Sequence, residues 1–172
     1  MIWLAVSFDM ARRIGARPSG LGLGTGQART AARLTAVVAL PALVVFTAAH
    51  LALHGFHPVK SFTDVVIQVP VQLLAVAFPE EIFFRGYLQS RLTAALPSGP
   101  RYLGVGLGVP LVLPAFLFAA AHFFMDPAPA RLATFFPGLL FGYLRERTGA
   151  VWAGVAVHAA ANVVVFALEG QL

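Results

Sequence analysis

Five apolar segments recur along the chain, and most of them are long enough to cross a lipid bilayer as a helix. A crossing helix needs about 20 mostly apolar residues, because the hydrocarbon core is about 30 Å thick. In lipid, every backbone polar group must be hydrogen-bonded internally, which favours helices for segments of this kind. The segments lie at residues 31–53, 65–88, 103–125, 132–144 and 150–168. The sequence therefore predicts an all-α, polytopic transmembrane helical bundle of about five spans.

Composition agrees with a chain that folds in lipid. Hydrophobic residues make up 59% of the 172 residues and charged residues only 11%, whereas a soluble domain carries about 25% charged residues. The chain has no cysteine, which excludes disulfides, cysteine-ligated metals and a thiol nucleophile. We expect residues 1–30 to form a cytoplasmic or interfacial segment and residues 31–172 to form the transmembrane core.

The distribution of basic residues predicts the orientation of the bundle. Loops rich in Lys and Arg stay on the cytoplasmic side of a membrane. The basic residues before the first span and beside the second and fourth spans are Arg12, Arg13, Arg17, Arg29, Arg33, Arg91, Arg101, Arg145 and Arg147. We therefore expect a cytoplasmic N-terminus. The alanine- and arginine-rich composition and the small size indicate an integral protein of a bacterial cytoplasmic membrane. We expect the basic residues to contact the lipid bilayer. Binding to nucleic acid is not expected, because no basic stretch is interleaved with aromatic residues.

Glycine pairs at two places predict close helix contacts. Gly138 and Gly142 lie four residues apart on the fourth predicted span, and Gly104 and Gly108 repeat the spacing on the third. Small residues at this spacing let two helices approach closely in lipid. The glycine-rich residues 17–26 are instead expected to form a flexible cytoplasmic connection, and they match no phosphate-binding motif.

The second span contains an unusual run of charge, FPEEIFFRGY at residues 78–87. A charged side chain at the centre of a membrane helix costs about 2.5–3.5 kcal/mol on insertion scales. Glu81 and Arg85 lie four residues apart, so they share a helix face and can form an ion pair. Glu80 points about 100° away around the helix and needs a partner from another helix. Pro79, just before it, is expected to weaken the helical hydrogen bonds.

Two other spans supply polar partners. His122 lies in the third span, and His158 and Asn162 lie four residues apart in the fifth. We interpret these residues and Glu80 as one polar pocket inside the bundle. A buried carboxylate can act as a general base on water, and imidazole and amide groups can donate hydrogen bonds to an oxyanion. The set is suited to amide hydrolysis without a covalent enzyme intermediate.

These residues form three motifs that resemble those of a known family. EEIFFR fits E-E-x-x-x-R, FAAAH fits F-x-x-x-H, and HAAAN fits H-x-x-x-N. In this order they resemble the CAAX prenyl protease and bacteriocin-processing family of intramembrane glutamic endopeptidases, also called type II CAAX endopeptidases. The resemblance covers about residues 65–165.

The resemblance implies roles for individual residues. Glu80 would be the base that activates water, and His122 would help to hold that water. His158 and Asn162 would form the oxyanion site, while Glu81 would pair with Arg85 as support. Neither a metal nor another cofactor is then required, and the substrate would be a membrane-associated peptide or protein. The chain departs from the family in having only one clear span before the first motif.

Several alternatives remain at this point. The charged run could be a structural cluster that ties helices together, or the chain could be a catalytically inactive relative that binds peptides, confers immunity or acts as a scaffold. Buried Glu and His residues also serve proton or ion transport. His50, His54 and His57 could line one helix face and ligate zinc, although an interfacial loop is the simpler interpretation. H-E-x-x-H is absent, which argues against a helix-borne zinc protease motif.

Overall fold

The structure, a computed structural model, describes residues 5–6, 9, 12–13, 18–25, 27–55 and 61–169. Between residues 18 and 169, the described residues form five helices, one two-stranded hairpin and two short 3-10 turns. Helix α1 consists of Ala28–Leu34, Thr35–Ala39 and Leu40–His54, and the other elements are α2 (Phe62–Ala95), β1 (Arg101–Tyr102), β2 (Val105–Gly106), α3 (Val109–Met125), α4 (Phe135–Thr148) and α5 (Trp152–Glu169). The 3-10 turns are Pro18–Leu21 and Pro129–Thr134.

The predicted fold class, an all-α membrane bundle, is confirmed. Ala28–Ala52 and Phe62–Ala95 are each long and apolar enough to cross a membrane, and Val109–Met125 and Trp152–Leu168 are shorter apolar helices. On α1, apolar side chains such as Val44 and Val45 are 67% and 68% exposed, as expected for a surface that faces lipid. The number of spans stays a prediction, since the 14 residues of α4 reach only about 21 Å.

Helices α1 and α2 change their winding near prolines. Of three π-helical stretches in the described part of the chain, Thr35–Ala39 and Val71–Ala77 each end two residues before a proline, at Pro41 and Pro79 respectively, and Ile82–Gln89 follows Pro79. Proline has no N–H and its ring collides with the carbonyl of residue i−4 in a regular α-helix. A wider turn before the proline relieves that collision. The weakening predicted at Pro79 therefore takes the form of a change in winding inside a continuous helix.

The two halves of α2 pack against different neighbours. Residues 62–77 lie mainly on α5, whereas residues 82–89 contact α3, α4 and the N-terminal turn. Phe84, Phe118, Phe141 and Val157 belong to one core cluster, which joins the second half of α2 to α3, α4 and α5. A second cluster lies between α2 and the start of α5 and comprises Ala77, Ile82, Val151, Val155 and Ala159.

The close helix approach predicted for Gly138 and Gly142 is present, and α2 uses it to donate hydrogen bonds to α4. Arg85 Nη2 donates to the Gly138 carbonyl at 3.0 Å, and Gln89 Nε2 donates to the Gly142 carbonyl at 3.0 Å. A Cβ atom added at Gly138 would lie 3.3 Å from Arg85 Nη2, and one added at Gly142 would lie 3.1 Å from Gln89 Oε1. The glycines therefore let α2 side chains reach the α4 backbone.

The prediction for Gly104 and Gly108 is wrong, because α3 starts at Val109 rather than at residue 103. Residues 101–106 instead form the β1–β2 hairpin, in which Arg101 pairs with Gly106. Its turn places Leu103 at φ 49° and Gly104 at φ 84°, a left-handed conformation typical of two-residue hairpin turns. The backbone N–H of Gly106 donates to Glu146 on α4 at 3.0 Å.

The described part of the glycine-rich segment, predicted as a flexible connection, is docked against the bundle. Leu21 is only 3% exposed, and a Cβ atom added at Gly86 would lie 2.5 Å from the Leu21 carbonyl oxygen. The Gly22 carbonyl accepts from Val151 N–H at 3.0 Å, and the Gly24 carbonyl accepts from Trp152 Nε1 at 3.1 Å. These contacts tie residues 18–25 to α2 and to the start of α5. Most of residues 1–17 lie outside the described residues.

Candidate active site

Glu81 and Arg85 form a fully buried ion pair on α2. Arg85 Nη1 lies 3.0 Å from Glu81 Oε1, and the two side chains are 1% and 0% exposed. Their four-residue spacing places them on one face, as the sequence indicates. A buried ion pair needs further hydrogen bonds to offset its loss of hydration, and the Gly138 carbonyl supplies one to Arg85. The pair thus fixes the centre of the polar site between α2 and α4.

His158 on α5 lies between the two adjacent carboxylates of α2. Its Nδ1 lies 3.1 Å from Glu81 Oε1, and its Nε2 lies 3.8 Å from Glu80 Oε2. The imidazole is almost completely buried. Because a carboxylate accepts hydrogen bonds, Nδ1 carries a proton in this geometry and donates it to Glu81. Nε2 is therefore the ring nitrogen that faces Glu80.

Glu80 differs from Glu81 in its surroundings. Its side chain is 15% exposed, whereas that of Glu81 is 0% exposed, and its buried Oε2 atom, like that of Glu81, has no hydrogen-bond partner among the described residues. Glu81 carries the hydrogen bonds to Arg85 and His158, which leaves Glu80 as the less constrained carboxylate. A carboxylate with this combination of partial access and a free acceptor atom is suited to contact a small polar molecule.

Aromatic rings enclose the charged groups. Phe141 stacks on the His158 imidazole with ring centroids 5.0 Å apart, and Phe118 meets the same imidazole edge to face at 5.6 Å. The guanidinium carbon of Arg85 lies 4.4 Å from the Phe118 ring centroid and 5.2 Å from that of Phe141. Contacts between a cation and an aromatic face are strengthened by desolvation. The two rings therefore stabilise Arg85 and orient His158.

His122 lies beside this core and is oriented by its own helix. Its Nδ1 donates to the Phe118 carbonyl at 2.9 Å, so Nε2 is the acceptor in the neutral ring. The rings of His122 and Phe118 lie 4.4 Å apart, and Phe118 also contacts His158. One phenylalanine therefore contacts both imidazoles. Helix α3 continues past His122 to Met125, so the histidine lies within the last turn of the helix.

Asn162 has a partner that the sequence motifs did not indicate. Its Nδ2 donates to Gln72 Oε1 on α2 at 3.1 Å, and Gln72 Nε2 donates to Gln68 Oε1 at 3.3 Å. Gln72 is buried and lies in the π-helical stretch of α2. The sequence contained one indication of this contact. Gln72 is a polar residue within the predicted second span, and buried amides in lipid need hydrogen-bond partners. Gln89, at the end of that span, is a polar residue of the same kind.

The described residues contain no group of three or more His, Cys, Asp or Glu side chains placed to hold a metal ion. For the histidine set considered as a zinc site, His57 and the side chain of His54 lie outside the described residues. His50 lies against Phe46, with ring centroids 6.2 Å apart. The zinc alternative at this set therefore stays a prediction.

Comparison with known families identifies one match. A model of the family described as type II CAAX prenyl endopeptidase, Rce1-like, matches residues 62–164. This range begins with α2 and ends within α5, so it includes all six polar residues that the three motifs indicate. No curated protein and no solved structure matches the chain.

Proposed function

This chain belongs to the Rce1-like type II CAAX prenyl endopeptidase family, and we propose that it is an intramembrane endopeptidase in which Glu80 activates the attacking water. The family indicates a protease that acts on membrane-associated proteins. The glutamic mechanism, the independence from metal and the roles of individual residues are our proposal. They are argued from the contacts between α2, α3 and α5.

The observation that carries the proposal is the position of Glu80 beside His158. Glu80 Oε2 is buried, lies 3.8 Å from His158 Nε2 and has no hydrogen-bond partner among the described residues. A water molecule that contacts both groups would be held by a base and by an imidazole in a site partly screened from solvent. General bases of this kind raise rates by about 10²–10⁴-fold.

For Nε2 of His158 to act as an oxyanion donor while Nδ1–H donates to Glu81, we propose that both ring nitrogens carry a proton. Glu80 and Glu81 carry two negative charges and Arg85 carries one positive charge, and a net charge inside an apolar bundle is costly. An imidazolium at His158 brings the sum to zero. Its Nδ1–H then donates to Glu81, as the 3.1 Å distance requires, and its Nε2–H is directed toward Glu80.

The reaction can then be written with its protons assigned. The water oxygen attacks the carbonyl carbon of the scissile amide while a water proton moves to Glu80, and the carbonyl electron pair moves to oxygen. Protonated Glu80 no longer attracts Nε2–H of His158, which becomes free to donate to the oxyanion together with Asn162. The C–N bond breaks, and Glu80 returns its proton to the leaving amine nitrogen.

His122 is proposed to complete the water site from α3. Its Nδ1–H is committed to the Phe118 carbonyl, so Nε2 of the neutral ring can accept the second hydrogen of the water. Glu80 and His122 then accept from the water, while His158 and Asn162 donate to the substrate oxygen. In this arrangement, α2 and α3 supply the hydrogen-bond acceptors for the water, and α5 supplies the hydrogen-bond donors for the substrate oxygen.

The membrane setting is part of the proposal. The arginines that flank α1 and the ends of α2 and α4 favour a cytoplasmic N-terminus, and the composition and small size favour a bacterial inner membrane. The scissile bond would lie in a peptide or protein that is already held at that membrane. A lipidated C-terminal segment, a leader peptide and a C-terminal sorting anchor each meet this requirement.

The testing experiment uses the full chain in proteoliposomes with a prenylated C-terminal peptide, and mass spectrometry of new protein termini in cells that express it. Glu80→Gln and His158→Ala should each lower the cleavage rate by at least about 100-fold while the protein stays folded in the membrane. Glu146→Gln is the matched control, since Glu146 accepts a hairpin N–H and an amide oxygen can do the same. Activity should also survive a strong chelator.

Two results would contradict the proposal. Cleavage by Glu80→Gln at the wild-type rate would remove Glu80 as the base. Peptide binding by the wild-type protein with no new termini in either assay would instead support a catalytically inactive member that binds membrane peptides.

A further inference from the structure

We infer that Gln72 is a positioning residue that fixes the direction of the Asn162 side-chain amide; the inference rests on the proposed function of Asn162 as an oxyanion donor. Asn162 Nδ2 donates to Gln72 Oε1 at 3.1 Å. None of the three motifs contains Gln72, which lies on α2 before Glu80. Its contact therefore extends the site beyond the residues that the motifs indicate.

The Gln72 amide has a second partner on its own helix. Gln72 is only 5% exposed, and its Nε2 donates to Gln68 Oε1 at 3.3 Å. A glutamine side chain has an acceptor oxygen and a donor nitrogen at opposite corners. With its nitrogen on Gln68, Gln72 turns its oxygen toward Asn162. The three side-chain amides thus form one chain of hydrogen bonds, in which Asn162 donates to Gln72 and Gln72 donates to Gln68.

This direction matters for an oxyanion donor. The Asn162 nitrogen has two hydrogens, of which Gln72 accepts one and leaves the other for a substrate oxygen. Rotation of the Asn162 amide by 180° would place its Oδ1 against Gln72 Oε1, which sets two acceptors face to face. The same rotation would present an acceptor to the oxyanion. Gln72 disfavours that orientation and so keeps the donor available before substrate binds.

Gln89 provides a matched control on the same helix. It is 4% exposed, close to the value for Gln72, and its Nε2 donates to the Gly142 carbonyl at 3.0 Å. Its contact lies on the α4 side of α2 and holds helices together without reaching Asn162. A purely structural requirement for buried glutamines would affect both positions alike.

The test measures kcat and KM for a prenylated C-terminal peptide in proteoliposomes. Gln72→Met keeps the side-chain length and removes the acceptor, whereas Gln72→Glu keeps an acceptor oxygen. We expect Gln72→Met to lower kcat about 10-fold at nearly unchanged KM, a fraction of the loss caused by removing an oxyanion donor outright. Gln72→Glu should retain most of kcat, and Gln89→Met should leave kcat unchanged.

A double-mutant cycle separates positioning from general damage. If Gln72 acts through Asn162, Gln72→Met should cause no further loss of kcat in an Asn162→Ala background. Additive losses in the double mutant would overturn the inference. So would a larger loss of kcat in Gln72→Glu than in Gln72→Met, because a structural role would tolerate the apolar residue better than a buried charge.

A second measurement does not depend on cleavage. The side-chain amide resonances of Asn162, assigned by their loss in Asn162→Ala, should shift in Gln72→Met and stay in place in Gln89→Met. Unchanged resonances in Gln72→Met would overturn the inference even if no substrate is cleaved. If the resonances shift but the wild-type protein cleaves no substrate, the result would count against the proposed function and not against the contact between Gln72 and Asn162.

Discussion

Glu81 and His158 join two helices through a hydrogen bond of 3.1 Å between positions 77 residues apart in the sequence. The same carboxylate oxygen also accepts from Arg85 Nη1 at 3.0 Å. One buried oxygen atom therefore holds a guanidinium from its own helix and an imidazole from α5. This arrangement fixes the proton on Nδ1 of His158 and directs Nε2 toward Glu80.

The first prediction concerns the charge of Glu81. Glu81→Gln keeps the shape of the side chain but leaves Arg85 as a buried cation without its carboxylate. We expect a loss of about 3–5 kcal/mol in the free energy of unfolding, the usual cost of removing one partner from a buried pair. Unfolding in mixed micelles would measure it.

Asp126→Asn is the control for that change. Asp126 pairs with Arg131 at 2.8 Å, but both side chains are about half exposed, so the pair should contribute only about 0–1 kcal/mol. Equal losses of unfolding free energy from the two substitutions would show that burial does not determine how much the ion pair of Glu81 and Arg85 contributes to stability.

The second prediction concerns the space beside Glu81. A Cβ atom added at Gly154 would lie 3.0 Å from Glu81 Oε2, so Glu81 would have to shift by a few tenths of an ångström, which disturbs the hydrogen bonds of its Oε1 atom to Arg85 and His158. Gly154→Ala should therefore cost about 1–3 kcal/mol of stability, as overpacking does, and should lower cleavage. Gly20→Ala is the comparison, because nothing lies within 4 Å of its added Cβ and it should be nearly neutral.

The third prediction contrasts the two glycines of α4. A Cβ added at Gly138 would meet the Ala115 backbone at 3.2 Å, whereas one at Gly142 would meet the end of the Leu111 side chain at 2.7 Å. Because a side-chain end can be shortened and a backbone cannot, Leu111→Ala should relieve part of the stability lost in Gly142→Ala. It should not relieve Gly138→Ala. Thermal unfolding of the two glycine variants, of Leu111→Ala alone and of the two double variants would decide this.

The fourth prediction concerns the docked N-terminal segment. Trp152 donates Nε1–H to the Gly24 carbonyl at 3.1 Å and stacks on Phe78 with ring centroids 5.6 Å apart. Trp152→Phe keeps a ring for stacking and removes the donor, at a cost of about 1 kcal/mol. Residues 18–25 should then be cut faster by an added protease, with little change in overall unfolding.

Phe78→Leu separates the two contacts of Trp152. This substitution removes the stacked ring and keeps the bond to Gly24, so it should leave the proteolysis rate of residues 18–25 close to wild type. Faster cleavage in Phe78→Leu than in Trp152→Phe would assign the docking to the stacked rings instead.

The sequence predicts much of this fold because a chain that folds in lipid has two features that are easy to recognise in its sequence. Apolar segments stand out by length, and the predicted limits 31–53 and 150–168 differ from α1 and from Trp152–Glu169 by three residues or fewer. Charged and polar groups within such segments also stand out, since their insertion is costly. This is why the contact between Glu81 and Arg85 could be anticipated from spacing alone.

The sequence predicts less where local backbone geometry decides the outcome. Residues 103–107 are mostly apolar and extend the predicted third span, yet the left-handed conformations of Leu103 and Gly104 form a hairpin there. The partner of Asn162 was missed for a related reason. A helical projection at 100° per residue does not apply across the π-helical stretch Val71–Ala77, so it could not place Gln72 relative to Glu80.

The different neighbours of the two halves of α2 have a consequence for access. Glu80, His158 and Asn162 lie on α2 and α5, whereas His122 lies on α3, which contacts the second half of α2. Phe118 on α3 and Phe141 on α4 both contact the His158 imidazole on α5, so a displacement of α3 and α4 from α5 would also release the rings that orient His158. The guanidinium of Arg85 lies on the same two rings, so entry of a bilayer-embedded peptide along this seam would loosen the surroundings of the ionic centre together with His122.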